Sequence, residues 1–546
     1  MFIKITKSGN YEYAQLVKSY REDGVTRHKV LLNFGRLDQM QNNPGIQQLA
    51  MRLLEISTAK TLVSLDTISE ARMVNWGYVV YRKIWREFDL DDILTTIKES
   101  GKTQFDLNSA CFLMTIQHLL EPRSKLGTFS HQNRYVQLPT VELNHLYRSL
   151  DVLSNHKELL EEAMFRKNRH LFNMQVDVVF YDVTTFHFES VKPDTLRDFG
   201  YSKNGKFNEV QVVMGLLVDC EGRPIGYELF PGSVFEGKTL EKSLEKLEQR
   251  FGIRKVIIVA DRGINSKLNL KKLVDKKYGY VVASRIKNMK RSIQDEIFKR
   301  EGYAELLSEK HPEENIHYKV IDYVNRVKEN GKTYSLSEKL VVTYSPARAK
   351  KDRADRERLI EKAQYLLDDK SKIKAGNKRG GKKYLKDVST GESDWALDGE
   401  AIAKDEMFDG YYGIQTNEQD LDVQKILDAY HTLWKIEESF RIMKSALEVR
   451  PVFHWTEPRI KGHFVVCFLA FLLERTLECK LKGIKEASPQ KIREALNAMS
   501  FAEVEIENKM FCIKAKGTEL GNKILRALRI SPPKNITPAD DLSLEN

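Results

Sequence analysis

The sequence predicts a mixed α/β protein in which helices cover both faces of a sheet. Three short apolar runs between residues 176 and 230 have the length of buried strands and are rich in valine. Helical and strand-like patterns then alternate, until a stretch at 290–400 breaks this rhythm. The predicted strands are 176–181, 210–218, 224–230, 255–260 and 279–284, and the predicted helices between them are 239–250 and 268–276.

The length and composition of the chain exclude several classes of protein. The chain has 546 residues, a length that suits about three or four domains of ordinary size. Hydrophobic residues make up 41%, which excludes wholesale disorder. The net charge of +11 favours a polyanionic partner. Five cysteines without a CxxC pair exclude a disulfide framework and argue against a Cys-based zinc site.

The sequence shows no membrane or secretion signal. Its first ten residues lack the apolar core of a signal peptide. The longest apolar run, 464–473, has ten residues, whereas a membrane span needs about 20. We therefore expect a buried core helix at this run and a soluble, intracellular protein.

The N-terminal part divides into two regions. Residues 1–45 contain three β-rich runs separated by turn signals at 8–10 and 22–24, which predict a small antiparallel β-meander. Residues 46–172 are helical by pattern, because apolar residues recur at three- and four-residue spacing. The clearest helices are 76–88, 107–120 and 156–172.

Residues 290–407 are predicted to be a β-rich and basic insertion, with strands near 317–324 and 339–344. Between 348 and 386, 15 Lys and Arg face 6 Asp and Glu, a net charge of +9. The first half of this stretch is helix-forming and the second is loop-like. Two interpretations remain open: a solvated charged helix with a flexible tip, or a DNA-contacting arm. The arm would use Lys378, Arg379, Lys382 and Lys383.

The sheet is predicted to resume after residue 407. Residues 410–415 are strand-like, and 424–446 form a long helical pattern with Asp422 as a candidate N-cap. The core then comprises 173–289 and 408–480, and 481–546 form a C-terminal helical region with a disordered tail. The tail is expected beyond Ser531, where prolines and acids accumulate.

Two aspartates follow predicted strands. Asp182 comes directly after the run 176–181, and Asp261 directly after 255–260, with Gly263 permitting a tight turn. Each alone is more typical of a turn or a helix cap. Ligand sites of α/β sheets collect at such strand ends, and two carboxylates there could hold Mg²⁺. Two ions about 4 Å apart would stabilise both oxygens of a phosphoryl displacement.

The long helix offers a third acid. Tyr430, Glu437 and Lys444 are spaced by seven residues and so share one helix face. Arg441 lies four residues beyond Glu437 on the same side. An acid flanked by a phenol and cations suits a metal ligand beside bound phosphates. The alternatives are Glu438 as the acid, or an ordinary amphipathic helix.

These motifs together resemble the DDE transposases of bacterial insertion sequences. The insertion-sequence-4 group has the signature Tyr, two residues, Arg, three residues, Glu, six residues, Lys. Here it falls on Tyr430, Leu433, Glu437 and Lys444, so leucine replaces the arginine, and Arg441 or Lys435 are candidates to supply its phosphate contact. The sequences around Asp182 and Asp261 match the two Asp motifs of the family, and residues 20–24 resemble the start of its 1634-like branch.

The resemblance implies a ribonuclease-H-like core, interrupted by a β-rich insertion between Asp261 and Glu437. It implies cleavage at the terminal inverted repeats of the element and joining of 3′-hydroxyl ends to target DNA. Asp182, Asp261 and Glu437 would hold Mg²⁺, which Mn²⁺ would replace, and Tyr430 and Lys444 would contact DNA phosphates. The expected partners are both DNAs and, on DNA, a second copy of the chain. The expected location is the bacterial cytoplasm, at the nucleoid.

Several alternatives remain open at this level. The protein could be a nuclease of the same fold without strand transfer, or a transposase-derived DNA-binding protein without catalysis. The region 46–172 could bind the inverted repeats or serve packing and dimerisation. His187 could lie near the metals or be a structural histidine, and Lys203 and Lys206 could touch DNA or form the tip of a hairpin.

Overall fold

The computed structural model describes residues 2–22, 25–40, 43–56, 68–172, 178–188, 192–200, 208–235, 238–244, 250–253, 256–306, 316–368, 373, 380–388, 394–447, 452, 454–484, 486–506 and 509–544. The chain divides into two compact units. One comprises Met1–Met73, Ala502–Ile513 and Lys534–Leu542, and the other comprises Val74–Phe501, Lys514–Pro533 and Ser543–Asn546.

The N-terminal meander forms as predicted. Its antiparallel sheet has the order β1-β2-β3, with β1 (Phe2–Ser8), β2 (Tyr11–Glu22) and β3 (Val25–Arg36). Gly9 has a φ of +61° in the first hairpin turn, a conformation that glycine adopts without steric cost. Two helices and a strand follow: α1 (Leu37–Met40), α2 (Pro44–Ile56) and β4 (Ile68–Asn75).

Six helices follow β4, and the three predicted here are among them. The long apolar helix α5 is capped by Asp106, whose side chain accepts a hydrogen bond from the Ser109 N–H. Nearly all of its residues are buried. The helices are α3 (Val79–Glu87), α4 (Leu90–Ser100), α5 (Leu107–Leu120), α6 (Lys125–His131), α7 (Leu143–Asn155) and α8 (Lys157–Phe172).

A large mixed sheet forms the centre of the second unit. Its strands are β5 (Val178–His187), β6 (Gln211–Val218), β7 (Pro224–Pro231), β8 (Ile257–Ala260), β9 (Gly279–Ala283), β10 (Ala304–Leu306), β11 (Ile316–Glu329), β12 (Lys332–Tyr344) and β15 (Tyr411–Thr416). The order is β10-β11-β12-β15-β9-β8-β5-β6-β7. Strand β8 pairs in parallel with β5 and β9, and the other pairs are antiparallel.

Helices cover both faces of this sheet, as expected. On one face, Val179 and Tyr181 of β5 pack with Leu240 of α9 (Thr239–Leu244) and Leu270 of α10 (Lys267–Asp275). On the other face, Phe186 of β5 contacts Phe464 with ring centroids 5.1 Å apart. Successive strand residues point to opposite faces, so β5 separates the two layers of core.

Strand β5 is longer than predicted. The expected strand ended at Tyr181, with Asp182 immediately beyond it, but β5 continues to His187. The residues after Asp182 are rich in β-branched and aromatic side chains that suit a strand, and they pair with β6 up to Gln211. Asp182 therefore lies within β5, at the point where its parallel neighbour β8 ends.

The region 290–407 contributes to the central sheet and to a smaller satellite. After α11 (Arg291–Phe298), strands β10–β12 extend the sheet beyond β15. The predicted charged helix is α12 (Pro346–Asp368). The rest is a short 3₁₀ turn (Gly380–Tyr384), a two-stranded sheet of β13 (Leu385–Asp387) and β14 (Trp395–Leu397), and α13 (Gly399–Glu406).

The helix predicted over 424–446 is interrupted. The structure has α14 (Val423–His431), α15 (Trp434–Arg441) and a π-helical turn (Ile442–Ala446) instead. Short-range hydrogen bonds tighten the first junction, where the Leu433 N–H donates to the Tyr430 carbonyl at 3.0 Å. In the π turn the Leu447 N–H donates to the Ile442 carbonyl, five residues back, at 2.8 Å. The spacing of seven therefore does not place Tyr430, Glu437 and Lys444 on one continuous helix.

The C-terminal part contains the apolar helix and three strands of a further small sheet. The helices are α16 (Glu457–Lys480), α17 (Pro489–Asn497) and α18 (Glu519–Ala527), and the strands are β16 (Ser500–Ile506), β17 (Lys509–Lys514) and β18 (Ile536–Pro538). Among the described helices, none combines the length and the apolar character needed to cross a membrane.

The expectation of a disordered tail beyond Ser531 is wrong for the residues described there. Strand β18 pairs with β17, with Phe511 opposite Pro538, in a sheet of order β18-β17-β16-β4. Unpaired backbone groups along the edge of β17 give the tail a template to pair with. Proline is tolerated because it lies at the end of an edge strand.

Candidate active site

The two aspartates lie on neighbouring strands. Strands β5 and β8 pair in parallel up to Tyr181 opposite Ala260, so Asp182 and Asp261 are the next residues in this register. Paired strands lie about 4.8 Å apart. Asp182 is half-buried and Asp261 is exposed, and the Val183 N–H donates to Asp182 Oδ1 at 2.7 Å. The structure thus brings both predicted acids to one edge of the parallel segment.

Asp182 shares its face of β5 with the contacts of Lys444. Side chains two residues apart on a strand point to the same side, which places Asp182 with Thr184 and Phe186. The Lys444 Nζ donates to the Thr184 hydroxyl and lies 5.7 Å from the centroid of the Phe186 ring. Helix α15, which carries Glu437, packs against β5 as well. The signature lysine and the first aspartate therefore belong to one surface.

The structure distinguishes the two candidate glutamates. Glu438 lies 3.3 Å from Arg475, whose side chain is 8% exposed, and 3.8 Å from Arg441. Arg475 also pairs with Glu478 at 2.6 Å. Glu437 is exposed on α15. Glu438 is thus engaged in a structural ion pair, whereas Glu437 is open to solvent and available to bind a ligand.

Tyr430 is joined to the end of β15. Its hydroxyl lies 2.5 Å from that of Tyr412. Burial, the neighbouring Tyr412 and the Asp261 carboxylate raise the pKa of Tyr430 well above its ordinary value, so it remains a neutral phenol. Arg348, from the basic helix α12, stacks over the Tyr412 ring at 4.2 Å from its centroid. This chain of contacts connects the signature tyrosine to the basic region.

A cavity of about 520 Å³ lies beside Tyr412. It is lined by cationic side chains, among them Arg262, Arg285 and Arg348, and by four aspartates, Asp352, Asp355, Asp405 and Asp409. The Arg285 guanidinium donates to the Arg262 carbonyl at 2.9 Å. No described acid forms an ion pair with Arg262 or Arg285. By contrast, Lys287 on the same wall lies 2.7 Å from Asp405. Two guanidinium groups that form no ion pair with a described acid lie next to Asp261 and are suited to bind phosphate.

The remaining predicted residues fall into different places. Arg441 lies at the end of α15, 72% exposed, and Leu433 is buried at the start of the same helix. Lys383 pairs with Asp405 at 2.8 Å, and Lys382 is half-buried in the adjoining 3₁₀ turn. His187 is buried at the end of β5. Outside the described residues lie Lys203, Lys206, Lys378 and Arg379, and the side chain of Lys435.

Sequence reasoning missed Arg262, Arg285 and Tyr412. Arg262 was visible as the residue after Asp261, and a cation directly behind a candidate acid is a usable signal. Arg285 and Tyr412 reach the site only through the pairing of β9 with β15, and no local pattern marks them. Their contribution could therefore not be read from spacing.

Comparisons with known proteins identify the family of the chain. Residues 175–473, more than half of the chain, match the family model described as "Transposase DDE domain". Residues 3–62 match "IS1634 family transposase, N-terminal domain". A search of curated proteins found no match.

A search of solved structures found similarity to the chain in the "Cryo-EM structure of piggyBac transposase synaptic complex with hairpin DNA". The two chains are 9% identical, the match covers 80% of this chain and 81% of that one, and the TM-score is 0.35. The two family models decide the assignment: this chain belongs to the DDE transposases, in the IS1634 family.

Proposed function

We propose that this transposase cuts DNA at the terminal inverted repeats of its own element and joins the freed 3′-hydroxyl ends to target DNA. The observation that carries the proposal is the placement of Asp182 beside Asp261 in register, with helix α15 packed on the same strand. Three antiparallel strands, β7-β6-β5, followed by the parallel strands β8 and β9, support a ribonuclease-H-like description of this core.

The donor set fits a hard divalent cation. Asp182, Asp261 and Glu437 offer only carboxylate oxygens, and Mg²⁺ takes such ligands together with water and phosphate oxygens. Asp261 and Glu437 are exposed and Asp182 is half-buried, so all three leave room for substrate. We propose Mg²⁺, with Mn²⁺ as a substitute. When bound, the metal would polarise the scissile phosphate and stabilise the attacking and leaving oxygens.

The protein's own side chains would position the DNA end. Lys444, fixed by Thr184, supplies a positive charge on the face of Asp182. Tyr430, kept neutral beside Tyr412, can donate a hydrogen bond to a phosphate oxygen. Leu433 stands where the family signature has an arginine. Arg262 and Arg285 supply guanidinium groups next to Asp261 instead. A guanidinium group binds phosphate in a bidentate manner.

Two DNA ends have to be processed in one event, so we propose that two copies of the chain assemble on DNA. The helical region 74–172 and the basic helix α12 are the candidate surfaces for the inverted repeats. Lys378, Arg379, Lys382 and Lys383 remain candidates for a DNA-contacting tip. Because Lys383 already pairs with Asp405, we expect its contribution to be the smallest among the described ones.

The test uses labelled duplexes that span the ends of the element, with Mg²⁺ or Mn²⁺, and compares wild type with Asp182→Asn. Metal-dependent cuts at the ends that require Asp182 would support the proposal. A second substrate with a precut 3′-hydroxyl end and a target plasmid tests joining separately. Cutting without joining would indicate a nuclease of this fold, and specific binding without cutting would indicate a transposase-derived DNA-binding protein.

A further inference from the structure

A buried cluster of nitrogen and sulfur ligands lies away from the aspartates, where α5 meets α16. It consists of His118 on α5 and of His463 and Cys467 on α16. The two α16 residues are four positions apart and so share one helix face. All three side chains are at most 5% exposed. Nothing in the proposed DNA chemistry uses them.

The spacing of the ligand atoms suits a tetrahedral metal. One nitrogen or sulfur atom from each residue lies within 4.8 Å of the other two. The Cys467 Sγ is 3.6 Å from the His463 Nε2. Zinc–nitrogen and zinc–sulfur bonds of about 2.0 and 2.3 Å at a tetrahedral angle place the two ligand atoms roughly 3.5 Å apart.

The surroundings of His118 fix its orientation as in metal sites. Its Nδ1 lies 3.1 Å from the carbonyl oxygen of Leu447, so a proton on Nδ1 leaves the Nε2 lone pair to bind a cation. A neutral imidazole with its proton on Nδ1 is the form that binds metals.

A buried lysine competes for the same lone pair. Lys125 Nζ lies 3.3 Å from His118 Nε2, and the residue is 2% exposed. A cation bound to the His118 Nε2 therefore has to displace Lys125 from this contact. A bound metal would also have to displace the proton of the Cys467 thiol.

We propose that His118, His463 and Cys467 bind one zinc ion, which links α5 to α16 at a site separate from the carboxylates. Two imidazoles and a thiolate favour zinc over magnesium, which takes oxygen ligands. On binding, the Cys467 thiol proton is released to solvent and a Zn–S bond forms. Because Leu447 caps the π turn and its carbonyl binds His118, the metal also fixes the segment that carries Lys444.

The experiment measures the metal content of the full-length protein after dialysis against zinc-free buffer. All variants carry Asp182→Asn, so that zinc at the carboxylates does not contribute. The parent is expected to retain one zinc per chain, and cobalt in its place gives a thiolate-to-metal charge-transfer band in the near ultraviolet. Cys467→Ser and His463→Gln are expected to lose both signals. Cys111→Ser, which changes another buried cysteine on α5, should retain them.

Lys125→Met keeps the assignment testable even if the ligand variants fold poorly. Removing the competing ammonium should raise zinc affinity by at least about tenfold, in the range expected for a group next to a ligand. The proposal would be overturned if the zinc content of the parent were no higher than background, or if the charge-transfer band were unchanged in Cys467→Ser. Unchanged affinity in Lys125→Met would overturn the use of His118 Nε2. None of these readouts depends on DNA cleavage.

Discussion

The guanidinium of Arg475 lies 3.3 Å from the carboxylate of Glu438, and this ion pair separates the roles of two neighbouring glutamates. Arg475 is also anchored by the Gly222 carbonyl, 3.2 Å from its Nε, and by Glu478. Glu438 therefore contributes to the packing of α15 against α16, while Glu437 stays exposed.

We predict that Glu437→Gln abolishes cleavage and leaves DNA binding intact, because an amide is a poor ligand for a divalent cation. Loss of a metal ligand removes several kcal/mol of transition-state stabilisation, so the rate should fall by about 100-fold or more. The measurement is single-turnover cleavage of an end-containing duplex with Mg²⁺, alongside a binding assay in Ca²⁺.

Glu438→Gln is the matched control for that substitution. It removes a carboxylate from a partly buried pair that still retains Glu478, so the free energy of unfolding should fall by about 1 kcal/mol. Cleavage by the folded fraction should persist. Normal cleavage in Glu437→Gln together with loss in Glu438→Gln would show that the other glutamate is the catalytic acid.

Lys444→Met should weaken binding of the DNA end. The substitution keeps the length of the side chain and removes the charge that lies next to Thr184. The slope of log affinity against log salt should decrease by about 0.9, the value for one released counterion. Thr184→Val removes the hydroxyl and keeps the charge, so its slope should match wild type. Equal slopes in wild type and Lys444→Met would exclude a phosphate contact for this lysine.

Arg285→Ala should have a similar effect on binding, since no described acid forms an ion pair with its guanidinium group. Lys287 is two residues away and lies 2.7 Å from Asp405. Lys287→Ala is therefore a control that removes a positive charge from the same wall of the cavity. In Arg285→Ala we expect the slope of log affinity against log salt to decrease by about one, which corresponds to one released counterion. It should change little in Lys287→Ala, and the opposite ranking would contradict phosphate binding in this cavity.

Much of the core could be predicted because its signals are local. The strands β6, β7, β8 and β9 were found from short apolar runs, and Asp261 from its position directly after β8. The extent of β5 was missed because Asp182 interrupts its apolar pattern, although Thr184, Thr185 and Phe186 are good strand residues. An apolar run read in isolation cannot reveal that a partner strand, here β6, continues to pair with the residues beyond it.

Other features depend on contacts between distant residues and leave no local pattern. The π turn contains one residue more than an α-helical turn, so that the Leu447 N–H donates to the Ile442 carbonyl five residues back. The seven-residue spacing of the signature does not reveal this extra residue. The buried cluster of His118, His463 and Cys467 joins residues more than 300 positions apart, and a search for CxxC pairs cannot find a site with one cysteine. Only the spacing of His463 and Cys467 was visible, as a four-residue step on one helix.

Glu474 gives the stability of the protein a dependence on pH. This α16 residue is 4% exposed, and burial raises its pKa from 4.5 to about 8. The Tyr81 hydroxyl donates to its Oε2 at 2.6 Å. Between these two pKa values the folded state binds more protons than the unfolded state, so stability decreases as pH rises through this range and levels off above about 8.

Glu474→Gln should therefore remove this loss, because the amide stays neutral at every pH. As pH rises from 5 to 9, the free energy of unfolding of the variant is expected to rise relative to wild type by about 4 kcal/mol in total. The measurement is urea unfolding followed by circular dichroism. Glu494→Gln on the exposed surface of α17 is the control, and its difference from wild type should not vary with pH. A Glu474→Gln curve that runs parallel to wild type would mean that Glu474 is ionised in the folded protein, with Arg493 and Arg475 as the cations that compensate its charge.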